Sequence, residues 1–258
     1  MRDFLDILAV DAKATVKEGY YDNLETSILI QNDLREAILN RKATAVIAEI
    51  KASSPSKGII RGRLDPAETA RAMAKGGAVG ISVLTEPKHF SGALSNITAV
   101  RNSVRLPILM KDVIVDLDQI DAASKIGANA VLLIQAVFDR GYSSCSLSEM
   151  VAKAHSNNLE VLLETHSIDE FVRAVKTKTD LIGINNRNLG TLKVDLNVTK
   201  SILANCQSEG KVVVSESGII GPGDVHFLRG CGAQAFLIGS SIMLASNVES
   251  KVREFVNA

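Results

Sequence analysis

Glu49 and Lys51 stand two residues apart at the end of the apolar run Ala45–Ile50, and the same punctuation recurs along the chain. Pro107–Met110 ends on Lys111 and Asp112, and Leu159–Leu163 on Glu164. Leu181–Ile184 ends on Asn185 with Arg187 just beyond, and Val212–Val214 on Ser215 and Glu216. A lysine or carboxylate at the tip of a buried apolar run is costly unless it has a partner or a task. Positions two apart on a strand face the same way, so Glu49 and Lys51 are expected to share a face, where the carboxylate can keep the lysine positioned. A lysine placed like Lys111 could be a general acid, a Schiff-base nucleophile, or a partner to Glu49 or Glu164. Glu164 is a candidate general acid or base whose alternative task is to neutralise a lysine. Arg187 offers a planar fork for a carboxylate, or a salt bridge over the rim.

Two further segments suit an anion. Ser215-Glu216-Ser217-Gly218-Ile219 and Ile238-Gly239-Ser240-Ser241 supply small residues with free backbone N–H groups, the second at a predicted helix start. A helix cap alone would also account for Ser240. After Lys51, Ser-Ser-Pro-Ser-Lys-Gly is rich in donors and runs into a long connection, Ile59–Asp65, which is either a lid or an ordinary surface loop. The histidines His89, His155, His166 and His226 show no metal spacing and receive no role. Cys145, Cys206 and Cys231 are odd in number and far apart, as expected of reduced structural thiols in a cytoplasmic protein.

The elements that must position these groups follow from the apolar runs. A strand buried on both faces reads as a continuous apolar run. Such runs fall near 45–50, 79–84, 107–111, 129–134, 159–164, 181–185, 211–215 and 234–238, each followed by a helical pattern. Lys75-Gly76-Gly77-Ala78, Ile126-Gly127-Ala128 and Cys231-Gly232-Ala233 repeat one turn, a helix ending on glycine before the next strand. Parallel strands alternating with helices make an α/β fold, either an open doubly wound sheet or a closed barrel. No Gly-x-Gly-x-x-Gly follows the first strand, so the dinucleotide-type open sheet lacks its phosphate turn. The expected fold is a (β/α)8 TIM barrel with its charged tips converging at one end.

Residues 1–43 precede the first strand and carry two helical patterns, Phe4–Lys17 and Asp33–Leu39. They form an N-terminal helical extension of a single domain spanning 1–258. Apolar residues make up 46% of the chain and aromatics 4%, with no Trp, which suits an aliphatic barrel interior better than a β-sandwich. Lys plus Arg equals Asp plus Glu, so no overall field steers the chain to nucleic acid or membrane. No apolar run approaches the roughly 20 residues of a membrane span, and the N-terminus lacks a signal-peptide pattern, so a cytoplasmic location is expected.

With these residues in place, the chain resembles the indole-3-glycerol-phosphate synthase family of tryptophan biosynthesis. The matching stretches are Ile47–Gly58, Ile81–Phe90 (Ile-Ser-Val-Leu-Thr-Glu-Pro-Lys-His-Phe), Leu106–Asp112, Val131–Ile134, Gly183–Leu189, Val214–Ile219 and Ala235–Ser241. The resemblance implies a lyase that closes the ring of 1-(2-carboxyphenylamino)-1-deoxyribulose 5-phosphate and loses CO₂ and water, with no cofactor and no metal. It implies Lys111 as general acid, Lys51 and Glu164 in the later steps, and Glu49 and Asn185 as orienting groups. Arg187, with Ser54 and Lys51, would hold the anthranilate carboxylate, and Phe90 would wall the ring. Glu216 and Ser217 would contact the ribulose, and Gly218, Gly239 and Ser240 the phosphate. The expected partner is a phosphorylated small-molecule substrate bound by a monomer, with another enzyme of the tryptophan pathway as a candidate associate.

Two positions depart from the family pattern. Ala52-Ser53 stands where the family usually has Arg-Ala, and Val113 where it usually has a phenylalanine beside the anthranilate ring. Losing that ring surface is expected to weaken binding by about 1 kcal/mol or more. The alternatives are a sugar-phosphate aldolase using Lys111 as Schiff base, and a catalytically idle phosphate-binding barrel. The full set of Glu49, Lys51, Lys111, Glu164, Asn185 and Arg187 argues against the idle barrel.

Overall fold

Short segments rich in Val, Ile, Leu and Ala form eight strands: β1 (Ala45–Ile50), β2 (Gly80–Leu84), β3 (Ile108–Lys111), β4 (Ala130–Ile134), β5 (Glu160–Thr165), β6 (Leu181–Asn185), β7 (Val212–Glu216) and β8 (Ala235–Ile238). The computed structural model describes residues 3–54, 58–60 and 64–258, without the side chains of Ser54 and Ile59. All eight strands are parallel, each pairs with its neighbour in sequence, and β8 pairs with β1 to close the barrel. The register Ala45↔Ala235 and Ile47↔Gly80 sets the two seams of β1.

The period-2 alternation of a strand sorts the core into two clusters. Ala45, Ile47, Leu109, Leu132, Leu162 and Val214 belong to the one that fills the barrel. Val46, Ala48, Ile81, Val131, Leu163 and Ile182 belong to the other, which receives the surrounding helices. Continuous apolar runs are therefore required, since both faces are dry. The helix-to-strand turns adopt the left-handed conformation at Gly77 (φ +95), Gly127 (φ +93) and Gly232 (φ +110), which favours glycine at each.

The N-terminal extension divides between the two ends of the barrel. Helix α1 (Phe4–Lys17) is capped by Asp3 and lies at the C-terminal mouth, where Phe4 and Leu8 face the central cavity. Helix α2 (Leu34–Leu39) plugs the opposite end, its Leu34 against Gly80 at the start of β2. Glu160, the first residue of β5, accepts the N–H groups of Leu34 and Arg35 and holds α2 there. Between the helices Tyr21 is buried, its hydroxyl donating to Asp112 Oδ2 (3.0 Å) and accepting from Gln119 Nε2 (3.1 Å). Tyr21→Phe removes one of three donors to a buried carboxylate and is expected to cost about 1–3 kcal/mol, read as a lower urea midpoint.

Beyond β1 the chain departs from a plain loop: Ser53–Ser54 pairs antiparallel with Gly58–Ile59 in a short ribbon. The Ser53 hydroxyl donates to that of Ser91 (3.0 Å), tying the ribbon to the connection after β2. Residues 55–57 and 61–63 of the donor-rich segment lie outside the described residues. Helix α3 (Pro66–Gly76) follows, with Asp65 as its cap and Pro66 at its first position. After β2 comes a four-residue helix, α4 (Pro87–Phe90), before the longer helix Leu94–Arg101.

Candidate active site

The charged tips are same-face continuations of the barrel-filling layer. Lys111 follows Leu109, Glu164 follows Leu162, Glu216 follows Val214 and Glu49 follows Ile47, each by two residues. Alternation thus turns all four side chains inward at the C-terminal mouth. Lys51 Nζ lies 2.8 Å from Glu49 Oε1. Lys111 Nζ sits between two carboxylates, 3.5 Å from Glu164 Oε2 and 3.6 Å from Glu216 Oε2. Asn185 is buried at the tip of β6, and its Oδ1 accepts the N–H of Arg187 (2.9 Å). The Arg187 guanidinium donates to the Leu192 carbonyl (2.9 Å) and has no carboxylate within 4.0 Å among the described residues. The rim salt bridge considered for it is absent there, and most of its fork remains open for a carboxylate.

Burial and charge divide the titratable groups into roles. Burial alone would push the Lys111 amine down, but Glu164, Glu216 and Glu49 outweigh it and hold the pKa above its ordinary value. An ammonium held this way donates a proton rather than attacking a carbonyl, which argues against the Schiff-base reading. Burial would raise the Glu49 carboxyl, but Lys51 and then Lys111 overcome it and hold Glu49 low. Glu216 goes the other way: burial, reinforced by Glu164 and Glu49 against the pull of Lys111, pushes it up to about 8. Neither Glu216 carboxylate oxygen accepts a hydrogen bond from any described residue. An acid, a retained carboxylate and a protonatable carboxyl therefore face one space. Environments that push neighbouring pKa values apart are how acid and base roles are assigned.

Two glycines make room for these carboxylates. A Cβ on Gly183 would lie 2.2 Å from Glu216 Oε1, and one on Gly239 would lie 2.5 Å from Glu49 Oε1. Gly183→Ala should displace the Glu216 carboxyl without straining the backbone. We expect kcat/KM to fall by about 100-fold, the scale of a small misplacement at a reacting centre, with a thermal unfolding midpoint near that of the parent.

All these side chains line one cavity of about 1000 Å³. Apolar Phe90, Leu132 and Ile134 line it on the side of β2 to β4, together with Phe4 and Leu8 of α1 and Leu189. The charged strand tips ring its floor, and Ser217, Gly218, Gly239 and Ser240 line it on the side of β7 and β8. The backbone there turns through positive φ at Ser217 (φ +67) and Gly218 (φ +84). Asn186 anchors that turn, its amide donating to the carbonyls of Glu216 (3.0 Å) and Ser217 (3.2 Å) while Thr199 donates to its Oδ1. Ser241 Oγ donates to the Ile219 carbonyl (2.9 Å) and joins the two Gly/Ser turns. Gly239, not Ser240, is the cap of the short helix Ser240–Met243, so capping does not account for Ser240.

The structure therefore brings together Glu49, Lys51, Phe90, Lys111, Glu164, Asn185, Arg187, Glu216, Ser217, Gly218, Gly239 and Ser240. The side chain of Ser54 lies outside the described residues. Val113 is buried, yet it is not among the residues lining the cavity. Phe4 and Leu8 of the extension, Glu86, Gly183 and Asn186 were not singled out from the sequence. Glu86 accepts the N–H groups of Lys88 (2.9 Å), His89 (2.7 Å) and Phe90 (3.0 Å), so α4 delivers Phe90 to the cavity. Glu86-Pro87 was a legible start signal, a carboxylate before a proline at the first helical position. Among the described residues no group of three or more His, Cys, Asp and Glu could hold a metal ion. No helix among them is long and apolar enough to cross a membrane, and the three cysteines are free thiols.

A closed (β/α)8 barrel with paired lysines and carboxylates at its C-terminal mouth defines an acid–base enzyme of the barrel class. The family model for indole-3-glycerol phosphate synthase matches residues 9–255. Relatives of that description include one from Methanocaldococcus jannaschii, 44% identical over 244 residues, covering 92% of this chain and 89% of the relative. One from Caldanaerobacter subterraneus subsp. tengcongensis is 40% identical over 238 residues, covering 92% and 89%. One from Neisseria meningitidis is 45% identical over 208 residues, covering 81% and 78%. The chain belongs to the indole-3-glycerol phosphate synthase family. The fold is also similar to thiamine phosphate pyrophosphorylase from Pyrococcus furiosus, with a TM-score of 0.59 at 18% identity, covering 86% of this chain and 96% of that one. At that identity the likeness concerns the fold alone.

Proposed function

We propose that this barrel is a carbon–carbon lyase of the carboxy-lyase type. It converts 1-(2-carboxyphenylamino)-1-deoxyribulose 5-phosphate to indole-3-glycerol phosphate in tryptophan biosynthesis. The observation that carries the reading is Lys111, held protonated 3.5 Å from Glu164 and 3.6 Å from Glu216 between an apolar lobe and a Gly/Ser turn. The substrate has the same three parts: an aromatic acid, a keto sugar and a phosphate.

In the proposed sequence the ring carbon bearing the carboxylate attacks the ketone, and Lys111 gives its proton to the ketone oxygen, which becomes a hydroxyl. The carboxylate then leaves as CO₂, and its bonding electrons return to the ring system. The hydroxyl departs as water with a proton from an acid, while a base takes the proton from the adjacent carbon. Lys51 and Glu164 are assigned to these later steps. Glu49 holds Lys51 in place (2.8 Å), and Asn185 orients Arg187 through its N–H (2.9 Å). Arg187, with Ser54 and Lys51, takes the anthranilate carboxylate, and Phe90 packs against the ring. Glu216 and Ser217 take the ribulose hydroxyls, and Gly218, Gly239 and Ser240 the phosphate.

Residues 1–258 act as one barrel domain with 1–43 as its extension, working as a cytoplasmic monomer without a cofactor. Association with another enzyme of the same pathway is compatible with this reading. The test is growth of indole fluorescence when purified protein meets the substrate, with Lys111→Ala alongside. A rise that vanishes in the variant supports the assignment. A flat trace from folded protein that still binds substrate would favour the idle barrel.

A further inference from the structure

The apolar side of the cavity is assembled from pieces that are not covalent neighbours. Phe4 and Leu8 come from α1, Phe90 from α4, and Leu132, Ile134 and Leu189 from the barrel and its rim. Helix α4 is only four residues long, and it points Phe90 toward the cavity while His89 meets α1. His89 Nε2 lies 2.7 Å from Asp11 Oδ2. An ionised carboxylate accepts and does not donate, so Nε2 carries the proton of this bond. The Phe4 ring meets the same imidazole edge-on, with centroids 5.6 Å apart and planes at 88°.

Phe4, Leu8 and Asp11 are spaced four and three residues apart, which puts them on one stripe of α1. The side chain that receives His89 is thus in line with the two that line the cavity. Any roll or slide of α1 at Asp11 carries Phe4 and Leu8 with it. At its other end α1 is held by Arg140, 2.8 Å from Asp3 and 2.7 Å from Asp6. The second tie to α4, Lys88 to Glu18 at 3.3 Å, is between exposed side chains and contributes little.

We propose that His89 is a positioning residue: by clasping α1 to α4 it sets the spacing between Phe4, Leu8 and Phe90 that grips the aromatic half of the substrate. The inference rests on the reading of the cavity given above. The clasp touches neither the charged centre nor the Gly/Ser turn, so it governs affinity for the ring and leaves proton transfer and phosphate holding alone. Both its side chains are partly exposed, so global stability depends on it weakly.

The test compares His89→Ala and Asp11→Leu with the parent full-length chain. Expected are a KM raised about tenfold with kcat within about twofold, and anthranilate binding, followed by its own fluorescence, weakened about tenfold. Inorganic phosphate binding and the thermal midpoint should stay at parent values. Asp11→Asn keeps an acceptor for Nε2–H and should restore most of the affinity, as should the double variant His89→Asp, Asp11→His. Unchanged KM and anthranilate affinity in both single variants would overturn the proposal. So would a joint loss of anthranilate and phosphate binding, which marks general disruption. Absence of turnover in parent protein that still binds anthranilate would sink the lyase reading, while the binding arms would still decide the clasp.

Discussion

Lys111→Ala is expected to lower kcat by about 1000-fold in single-turnover indole fluorescence, within the range for removing a general acid. The lysine is the cation shared by Glu164 and Glu216, at 3.5 and 3.6 Å, and it is nearly buried. Its removal takes away the proton donor and leaves two carboxyls facing each other without the charge that separates their roles. Lys111→Arg keeps a cation but replaces a compact ammonium with a wider fork that gives up its proton far less readily. It should restore folding stability and little activity. That split between charge and proton delivery is the informative result. A Lys111→Ala enzyme retaining more than about a tenth of parental kcat would move the proton-donor role to Lys51, the lysine that lines the cavity beside Glu49.

Glu216 should make the protein lose stability as pH rises from about 4.5 toward 8, a range in which ordinary carboxylates are already ionised in both states. In the unfolded chain its carboxyl titrates near 4.5; burial raises it to about 8 in the fold. Between those values the folded state binds more protons than the unfolded one, so unfolding free energy falls with pH. Stability from this group is full below about 4.5 and lost by about 8, an effect on the order of a few kcal/mol. Asp112, raised by burial to about 6, and Glu160, raised by burial to about 7, act in the same direction. Glu49 opposes them: its pKa is held low, so its contribution is present above the unfolded value near 4.5 and lost as pH falls through the lower folded value. Urea unfolding from pH 5 to 9 should show the decline, and Glu216→Gln should flatten it and gain about 2 kcal/mol near pH 8.5. Parallel curves for parent and variant would show that Glu216 is already ionised at neutral pH. Such an enzyme keeps a destabilising carboxyl where its chemistry needs one.

The lesson differs between strands and site. Every barrel strand is found within a residue or so of the apolar run that predicted it, because dryness on both faces leaves no other pattern for a parallel strand. Lys111, Glu164, Glu216 and Glu49 were legible for the same local reason, as charges at the tips of such runs. Gly183 was not, because its requirement comes from the Glu216 carboxylate on the neighbouring strand, 33 residues away in the chain. Asn186 could have been read as a second copy of Asn185, yet it turns the other way and fastens Ser217. The phenylalanine missing at Val113 pointed to a weakened ring site. Phe4 and Leu8, brought over from α1, wall the apolar side of the cavity together with Phe90.

Period and tip polarity, which act over a few residues, were enough to determine the barrel, the end at which its chemistry gathers and the residue types that perform it. Closure of the sheet decided the rest. It set Lys111 between Glu164 and Glu216 rather than beside Glu49, placed α1 over the mouth and α2 beneath it, and pushed Glu216 and Glu49 to opposite protonation. Those outcomes depend on distances between residues remote in sequence and on how deeply each charge is buried, and both exist only once the eight strands have joined.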